Sequence, residues 1–435
     1  MLVTTVAIMA VVAFGVVGWR ALRGGDEVDG SAAGTWSEIA FVDRSSGEIL
    51  VLDDSGEPTR TMPGQGAVTD AYALGDRLAL VGPTTVAVAG GDAIEPIAIG
   101  RTNTVTPIRT PGTLHLVIGT ASGGNVTILD VATGDVLDIG ALAEQADPRL
   151  FAETIRWSSD GSRFAVADAG FFRTIVVESD AEEPGYFGAQ PLALDDDLIA
   201  TSQVIALQAD VALVDRERKN KALVPTEIPA GAVMVDHDLL MVATTGSVYR
   251  IADGDTEAER LGEVAVPSGA TVSWVGPTLD GSRLVVVGSV FQAVIDLDGE
   301  TLFTTTFASP IEIDTPRPDW TCLPIGGEGT FHSIVDLDTG EQVADLSGVD
   351  VIGASGDGCT VIGTRGGLGE VISADGTVDI GPVRSAVLAP DGRAVVRTTA
   401  TGAIELVRIE EDLTLGEPID LSDVASNNAI VAFLD

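Results

Sequence analysis

From Trp36 to Asp435 the chain repeats one short pattern, and no other feature restricts its folding as much. Ser162-Arg163-Phe164-Ala165-Val166-Ala167, Ser282-Arg283-Leu284-Val285-Val286-Val287, Asp76-Arg77-Leu78-Ala79-Leu80-Val81 and Gly392-Arg393-Ala394-Val395-Val396 each follow a turn and read as a strand. A second strand comes after each and ends in an acidic, glycine-containing turn. A recurrence of about forty residues with several short strands per unit is the mark of a β-propeller. The pattern therefore predicts an all-β chain, a single β-propeller of four-stranded antiparallel blades, about eight to ten units in all.

The unit 270–310 divides with little freedom: Thr271 to Trp274, a turn at Asp280-Gly281, Arg283 to Val287, Ala293 to Leu297, a turn at Asp298-Gly299, then Leu302 to Phe307. Asp-Gly suits hairpin turns in which both residues take positive φ, and it recurs at Asp160-Gly161, Asp357-Gly358 and Asp391-Gly392. Further units fall at 64–100, 101–143, 230–269, 311–348, 349–383 and 384–422, and the span 147–229 is long enough for two. The stretch 36–62 supplies three strands, and 429–434 is a lone strand at the far end. Pairing the two would complete a blade and close the ring, so 36–435 is expected to be one propeller closed by 429–435. The 51 glycines and 20 prolines suit many short strands joined by tight turns.

Met1 to Trp19 carries no charged side chain and as a helix spans ~28 Å, about the hydrocarbon thickness of a bilayer. It is expected to be a transmembrane anchor (1–19), with 20–35 as a flexible acidic, Gly-rich linker. A cleavable signal peptide competes, since Ser31-Ala32-Ala33 has the character of a processing site. Arg20 and Arg23 on the carboxyl side argue for a cytoplasmic continuation, whereas Asp26, Glu27 and Asp29 offset them and the cysteine pattern favours an oxidising space. The expectation is a single-pass protein of the cell membrane with its propeller on the extracytoplasmic side.

With 24 basic and 65 acidic residues the formal net charge is −41, a field that repels phosphate backbones and excludes nucleic acid as a partner. The carboxylates are spread through almost every unit, as a solvated acidic surface requires.

Trp157-Ser158-Ser159-Asp160-Gly161-Ser162-Arg163-Phe164-Ala165-Val166, with its core repeated at Leu388-Ala389-Pro390-Asp391-Gly392-Arg393, resembles the repeat of the TolB-like (WD40-like) propellers. Leu129 to Val136 and Val335 to Val343 resemble the third-to-fourth strand hairpin of quinoprotein-like propellers. In quinoprotein enzymes a docking tryptophan follows; here Leu137 and Ala344 stand there, so the resemblance implies the scaffold and no quinone.

Cys322 and Cys359 are the only cysteines and lie one repeat length apart, each at the start of a second strand, so neighbouring blades would present them side by side. A disulfide is expected, with two buried thiols as the alternative. No CxxC or paired-histidine spacing supports zinc. His115, alternating with Leu114 and Leu116, is expected to point away from them; His237 sits in Asp236-His237-Asp238, and His332 opens a third strand. No GxSxG motif accompanies them. Asp195-Asp196-Asp197 and Asp253-Gly254-Asp255 with Glu257 could hold calcium, as in propeller lactonases, or be solvated turns. The basic run Arg216 to Lys221 reads as an exposed hairpin tip or a contact for an acidic partner, and Asn125-Val126-Thr127 is a formal glycosylation sequon. Trp157 and Trp274 hold matching first-strand positions and read as core.

Loops between second and third strands gather on one propeller face. Phe171, Phe172, Arg173, Phe291, Gln292, Phe331, His332 and Arg365 fall at such loops and form the expected ligand-binding surface. The functional expectation is a non-catalytic scaffold for a protein or a cell-envelope component, without cofactor. The alternative is a calcium-dependent hydrolase or lactonase acting at the channel.

Overall fold

The computed structural model describes residues 36–90, 93–99, 102–110, 113–120, 126–138, 156–157, 163–167, 173–178, 185–188, 190–195, 197–205, 208–215, 223–277, 282–306, 321–327, 330–337, 339, 341–426 and 428–434. The expected anchor and linker, 1–35, lie outside them. Among the described residues no helix is long and apolar enough to cross a membrane.

The described chain is all-β and runs as consecutive antiparallel meanders. Sheet 1 orders Pro58–Met62, Ile49–Asp53, Glu38–Asp43 and Ala429–Leu434, so the last strand of the chain completes the first sheet in register from Glu38↔Leu434 to Asp43↔Ala429. Sheets 2 to 7 follow at 70–98, 102–138, 156–188, 190–226, 229–263 and 272–306, four strands each. Sheet 8 (322–345) shows three strands among the described residues. Sheets 9 (350–382) and 10 (383–420) form one seven-stranded ladder, because Gly376–Leu388 pairs by its first half with Leu368–Ser373 and by its second with Ala394–Thr399. The span 147–229 thus contains two sheets.

Each interior strand is buried on both faces, and successive residues go to different interfaces. In Arg283–Gly288, Leu284 and Val286 pack with Leu240, Val242 and Val264 of sheet 6, while Val285 and Val287 pack with Leu323 and Val335 of sheet 8. Sheet 1 repeats this: Ala40 and Val42 meet Ala71, Leu78 and Leu80 of sheet 2, and Ile39, Phe41 and Phe433 meet Ala394, Val396 and Leu406 of sheet 10. The array therefore returns to its start. The first strands of sheets 4 to 7 touch in succession, as do those of sheets 9 and 10, and Ala429–Leu434 touches the first strand of sheet 2, which places these strands innermost. His115 is only 4% exposed: in a sheet covered on both faces, pointing away from Leu114 and Leu116 does not lead to solvent.

Turns at the end of third strands share one chemistry. The carboxylates of Asp53, Asp130, Asp296 and Asp336 accept backbone N–H bonds from the following turn, such as Ser55 N at 2.9 Å, Ala132 N at 2.8 Å, Glu300 N at 2.8 Å and Thr339 N at 2.7 Å. In three cases an arginine of the preceding sheet donates to the carbonyl of the next residue. Arg250 reaches Leu297 O at 3.4 Å, Arg283 reaches Leu337 O, and Arg408 reaches Asp54 O at 2.6 Å.

Cys322 and Cys359 are bonded, with Cα atoms 4.9 Å apart. The bridge joins sheet 8 to the turn before Val361–Arg365 of sheet 9, where Thr321 and Cys322 N–H also donate to Asp357 O at 3.0 and 3.1 Å.

At the join of sheets 1 and 10, Trp36 meets Phe433 edge-on with ring centroids 5.1 Å apart. Phe433→Ala is expected to lower unfolding free energy by about 3–5 kcal/mol, measured by urea denaturation. A loss below about 1 kcal/mol would mean that this join lies outside the cooperative unit. Non-reducing peptide mapping should recover one Cys322–Cys359 peptide. Cys359→Ser should cost about 3–4 kcal/mol by the entropy of freeing a loop of 37 residues; full labelling of both thiols without reductant would refute the bridge.

Candidate functional site

Of the residues expected to bind ligand, Phe291 and Gln292 are fully buried, which corrects their assignment to a surface. Strand Phe291–Asp296 begins directly after the turn at Ser289-Val290, and Phe291 pairs with Gly288. Its ring fills the space a Cβ at Gly288 would need, coming within 2.0 Å of that position. Arg365 is half-exposed at the hairpin of Gly366 and Gly367 (φ 61° and 86°), 3.4 Å from Glu370 Oε2. Phe171 and Phe172 lie outside the described residues, as do the side chains of Arg173, Phe331 and His332, although their strands Arg173–Glu178 and Thr330–Asp336 are described.

The acidic clusters are engaged in turns. Asp195 Oδ1 accepts from Asp197 N at 2.8 Å and Leu198 N, and its Oδ2 lies 3.0 Å from His237 Nδ1. His237 follows Asp236 in a two-residue hairpin turn with φ of 69° and 49°. The buried Arg163 of sheet 4 donates to Asp195 O at 2.9 Å, so this residue links sheets 4, 5 and 6. Asp253, Gly254, Asp255 and Glu257 are exposed in a turn. Among the described residues no group of three or more His, Cys, Asp or Glu could hold a metal ion. Arg216 to Lys221 and Asn125 lie outside the description.

Glu227 is a carboxylate held by three side-chain hydroxyls. It accepts from Ser247 Oγ at 3.0 Å, Tyr249 OH at 2.8 Å and the Thr245 hydroxyl, and Arg260 lies beside it. These donors, led by Thr245, hold its carboxyl below the usual range; burial and the bond to Glu227 push the Tyr249 phenol up. With both oxygens occupied, Glu227 pins the passage from sheet 5 to sheet 6 and is not a free base.

The candidate site that remains is an open cleft of about 620 Å³ at the join of sheets 1 and 10, lined by Trp36, Asp391, Arg393, Arg408, Ile409 and the loop Glu410 to Thr414. Its floor is the indole of Trp36, with the Arg408 guanidinium 5.3 Å from the ring centroid and 2.9 Å from Asp54 Oδ2. Its lip is charged and open to solvent: Arg393 Nη1 stands 3.6 Å from Glu411 Oε1, with side chains 65% and 88% exposed.

The lip is fixed by the fold. Glu410 N donates to Thr414 O at 2.9 Å and Leu413 N to Glu410 O at 3.0 Å, closing a turn in which Leu413 holds a φ of 60°. A bulky residue in that region costs about 1–3 kcal/mol, offset here because Leu413 packs on the apolar cluster of sheets 9 and 10 and against Gly376. Asp412 Oδ1 accepts from Thr414 Oγ1 at 2.6 Å and Thr414 N at 3.1 Å, and that hydroxyl bond chiefly lowers its carboxyl's pKa. Four acids and two arginines surround an aromatic floor, an arrangement that can grip a polar or basic side-chain array. Sequence reasoning missed this cleft; the run Glu410-Glu411-Asp412 was its one local trace.

No family model matches the chain, and neither does any curated protein. Among solved structures it is similar to a crystal structure of the eukaryotic initiation factor, at 10% identity over 92% of this chain and 98% of that one, with a TM-score of 0.49. It is also similar to apo AztD from Citrobacter koseri (10% identity, 72% and 95% coverage, TM-score 0.35) and to the Pan2 WD40 domain of Neurospora crassa (11%, 60% and 85%, 0.32). All three identities are 11% or lower and all three TM-scores are below 0.5.

The pair His237–Asp195 has a defined pH signature. The bond to Asp195, and then its charge with those of Asp197 and Asp253, raises the His237 pKa above 6.5. Its contribution to stability is thus complete below the unfolded value and is lost as pH rises through the folded one. An NMR titration of the His237 ring should give a pKa above 6.5, returned toward the ordinary value by Asp195→Asn; an unchanged value in the variant would remove the pair.

Proposed function

We propose that the chain is a β-propeller of ten blades, held at the membrane by 1–19 through the linker 20–35, and that it serves outside the cytoplasm as a non-catalytic scaffold for a protein or cell-envelope ligand. The observation that carries the reading is the cleft beside Trp36, whose walls are fixed by the fold while Arg393 and Glu411 stay open to solvent. A charged lip carried on a turn that its own backbone bonds hold suits recognition, because little backbone freedom is left to lose on binding. The ring is supported by sheet 1, which packs against sheet 2 on one face and sheet 10 on the other. The extracytoplasmic placement is supported by the Cys322–Cys359 bridge, since disulfides persist in oxidising compartments. Arg365, with Phe171, Phe172, Arg173, Phe331 and His332, forms a second candidate surface on the face of the second-to-third strand loops.

The test uses the full chain in its native membrane with a photo-crosslinking residue at Glu411. A discrete adduct is expected, and Glu410→Lys should reduce it at least tenfold without moving the melting temperature. No adduct, or one indifferent to the charge reversal, would reject the cleft as the binding site.

A further inference from the structure

The outermost strand of each sheet presents one row of backbone N–H and C=O groups without a ladder partner among the described residues, and such edges invite another chain to pair. Nearly all of these edges are blunted. Pro58–Met62 carries Pro58 and Arg60, Ala93–Ala98 carries Glu95 and Pro96, and Glu259–Glu263 has three charges. Val136–Asp138 is short and ends in a charge, Val224–Thr226 contains Pro225, and Gly185–Gly188 has a glycine at each end. Gln342–Asp345 ends in a charge, the Gly376–Leu388 strand carries Asp379 and Pro382 along sheet 9, and Ile419–Asp420 is two residues long.

Thr301–Thr306 in sheet 7 is the exception: six residues, Thr-Leu-Phe-Thr-Thr-Thr, with neither charge nor proline. Its inner side pairs with Phe291 to Ile295, and Phe303 packs toward the cluster with sheet 8. Leu302, 42% exposed, Thr304 and Thr306 face solvent. These are residue types that favour a pleated ladder. Asp298 and Glu300 are exposed in the turn before this strand, and Gly262 of the outer strand of sheet 6, which carries Glu259 and an Arg260–Glu263 pair, lies against Gly299.

We propose that Thr301–Thr306 is a docking edge that takes an extended, basic segment of a partner protein as a fifth strand of sheet 7. Backbone bonds along ~20 Å of edge supply the grip. The acids at its entry, within a chain of net charge −41, select lysine- or arginine-bearing segments and disfavour a second copy of the chain. This edge is separate from the cleft at Trp36 and does not depend on it.

The probe is a short synthetic peptide of alternating lysine and valine, added to the full chain, with hydrogen exchange and fluorescence anisotropy as readouts. The peptide should slow exchange of amides within 301–306. The same peptide N-methylated at alternate positions, which keeps its charge and removes its ladder donors, should bind at least tenfold more weakly, as should the parent peptide to Thr304→Lys. An alternating glutamate and valine peptide should not bind. Equal binding of the N-methylated peptide, or protection elsewhere, would overturn the proposal. So would protection of 301–306 that grows with protein concentration alone, because a second copy would then be the occupant.

Discussion

A four-stranded sheet that is apolar on both faces is stable only between two neighbours, and an open row of such sheets would leave two faces bare. Each uncovered Leu, Val, Ile or Phe would forfeit about 1.5–3 kcal/mol. In this chain that constraint acts on sheet 1, where Ile39 and Ala40 are adjacent in sequence and belong to different interfaces. Ala429–Leu434 obeys the same alternation: Ile430, Ala432 and Leu434 join the cluster with sheet 2, and Phe433 joins the cluster with sheet 10. The ends of the chain must therefore meet in one sheet before either neighbouring interface is complete. The stability of distant sheets is tied to a join made of six residue pairs.

Apolar contact does not orient one sheet on the next, because it is non-directional. The arginine contacts supply direction at the rim. An aspartate at the end of a third strand fixes its turn, and an arginine of the preceding sheet donates to the following carbonyl at Leu297, Leu337 and Asp54. Arginine suits the task because its guanidinium carries several donors, and Arg408 Nη2 donates to both the carbonyl and the carboxylate of Asp54 while the group lies over Trp36. The same residue that orients the join thus shapes the floor of the cleft.

What the sequence revealed was local or periodic. The division of 147–229 into two units and the completion of sheet 1 by 429–434 could be read because each hairpin carries its own turn chemistry and each incomplete unit needs a strand. The cysteine pair was legible because one repeat of spacing puts like positions on neighbouring sheets. Phe291 and Gln292 were misread because alternation does not mark where a short turn ends; here it ends two residues earlier, and the strand, covered on both faces, buries both. The cleft was hidden for a different reason. It combines Trp36 with 391–393 and 408–414, from opposite ends of the chain, and depends on Leu413 in a conformation that sequence assigns to glycine or asparagine.

The heavy negative charge bears on partner choice through where the carboxylates sit. Asp43 is held at about 2, first by the Ser45 hydroxyl and then by Ser46, and Asp53, Asp412 and Asp420 are lowered chiefly by Ser55, Thr414 and Ser422. Folded values below the unfolded one mean that these groups favour the fold above pH 3.8 and lose that contribution as pH falls through the folded value. Their negative charge is balanced locally by turn hydroxyls and N–H groups, so it is retained at hairpin tips without driving the sheets apart. A polyanionic rim results, and two surfaces on it stand out. One is the cleft, where Arg393 stands opposite Glu411 across an aromatic floor; the other is the uncharged strand Thr301–Thr306. Under the two proposals, a basic segment would be drawn by the rim as a whole and selected at the cleft or at that strand, so that approach and specificity would belong to different parts of the same surface.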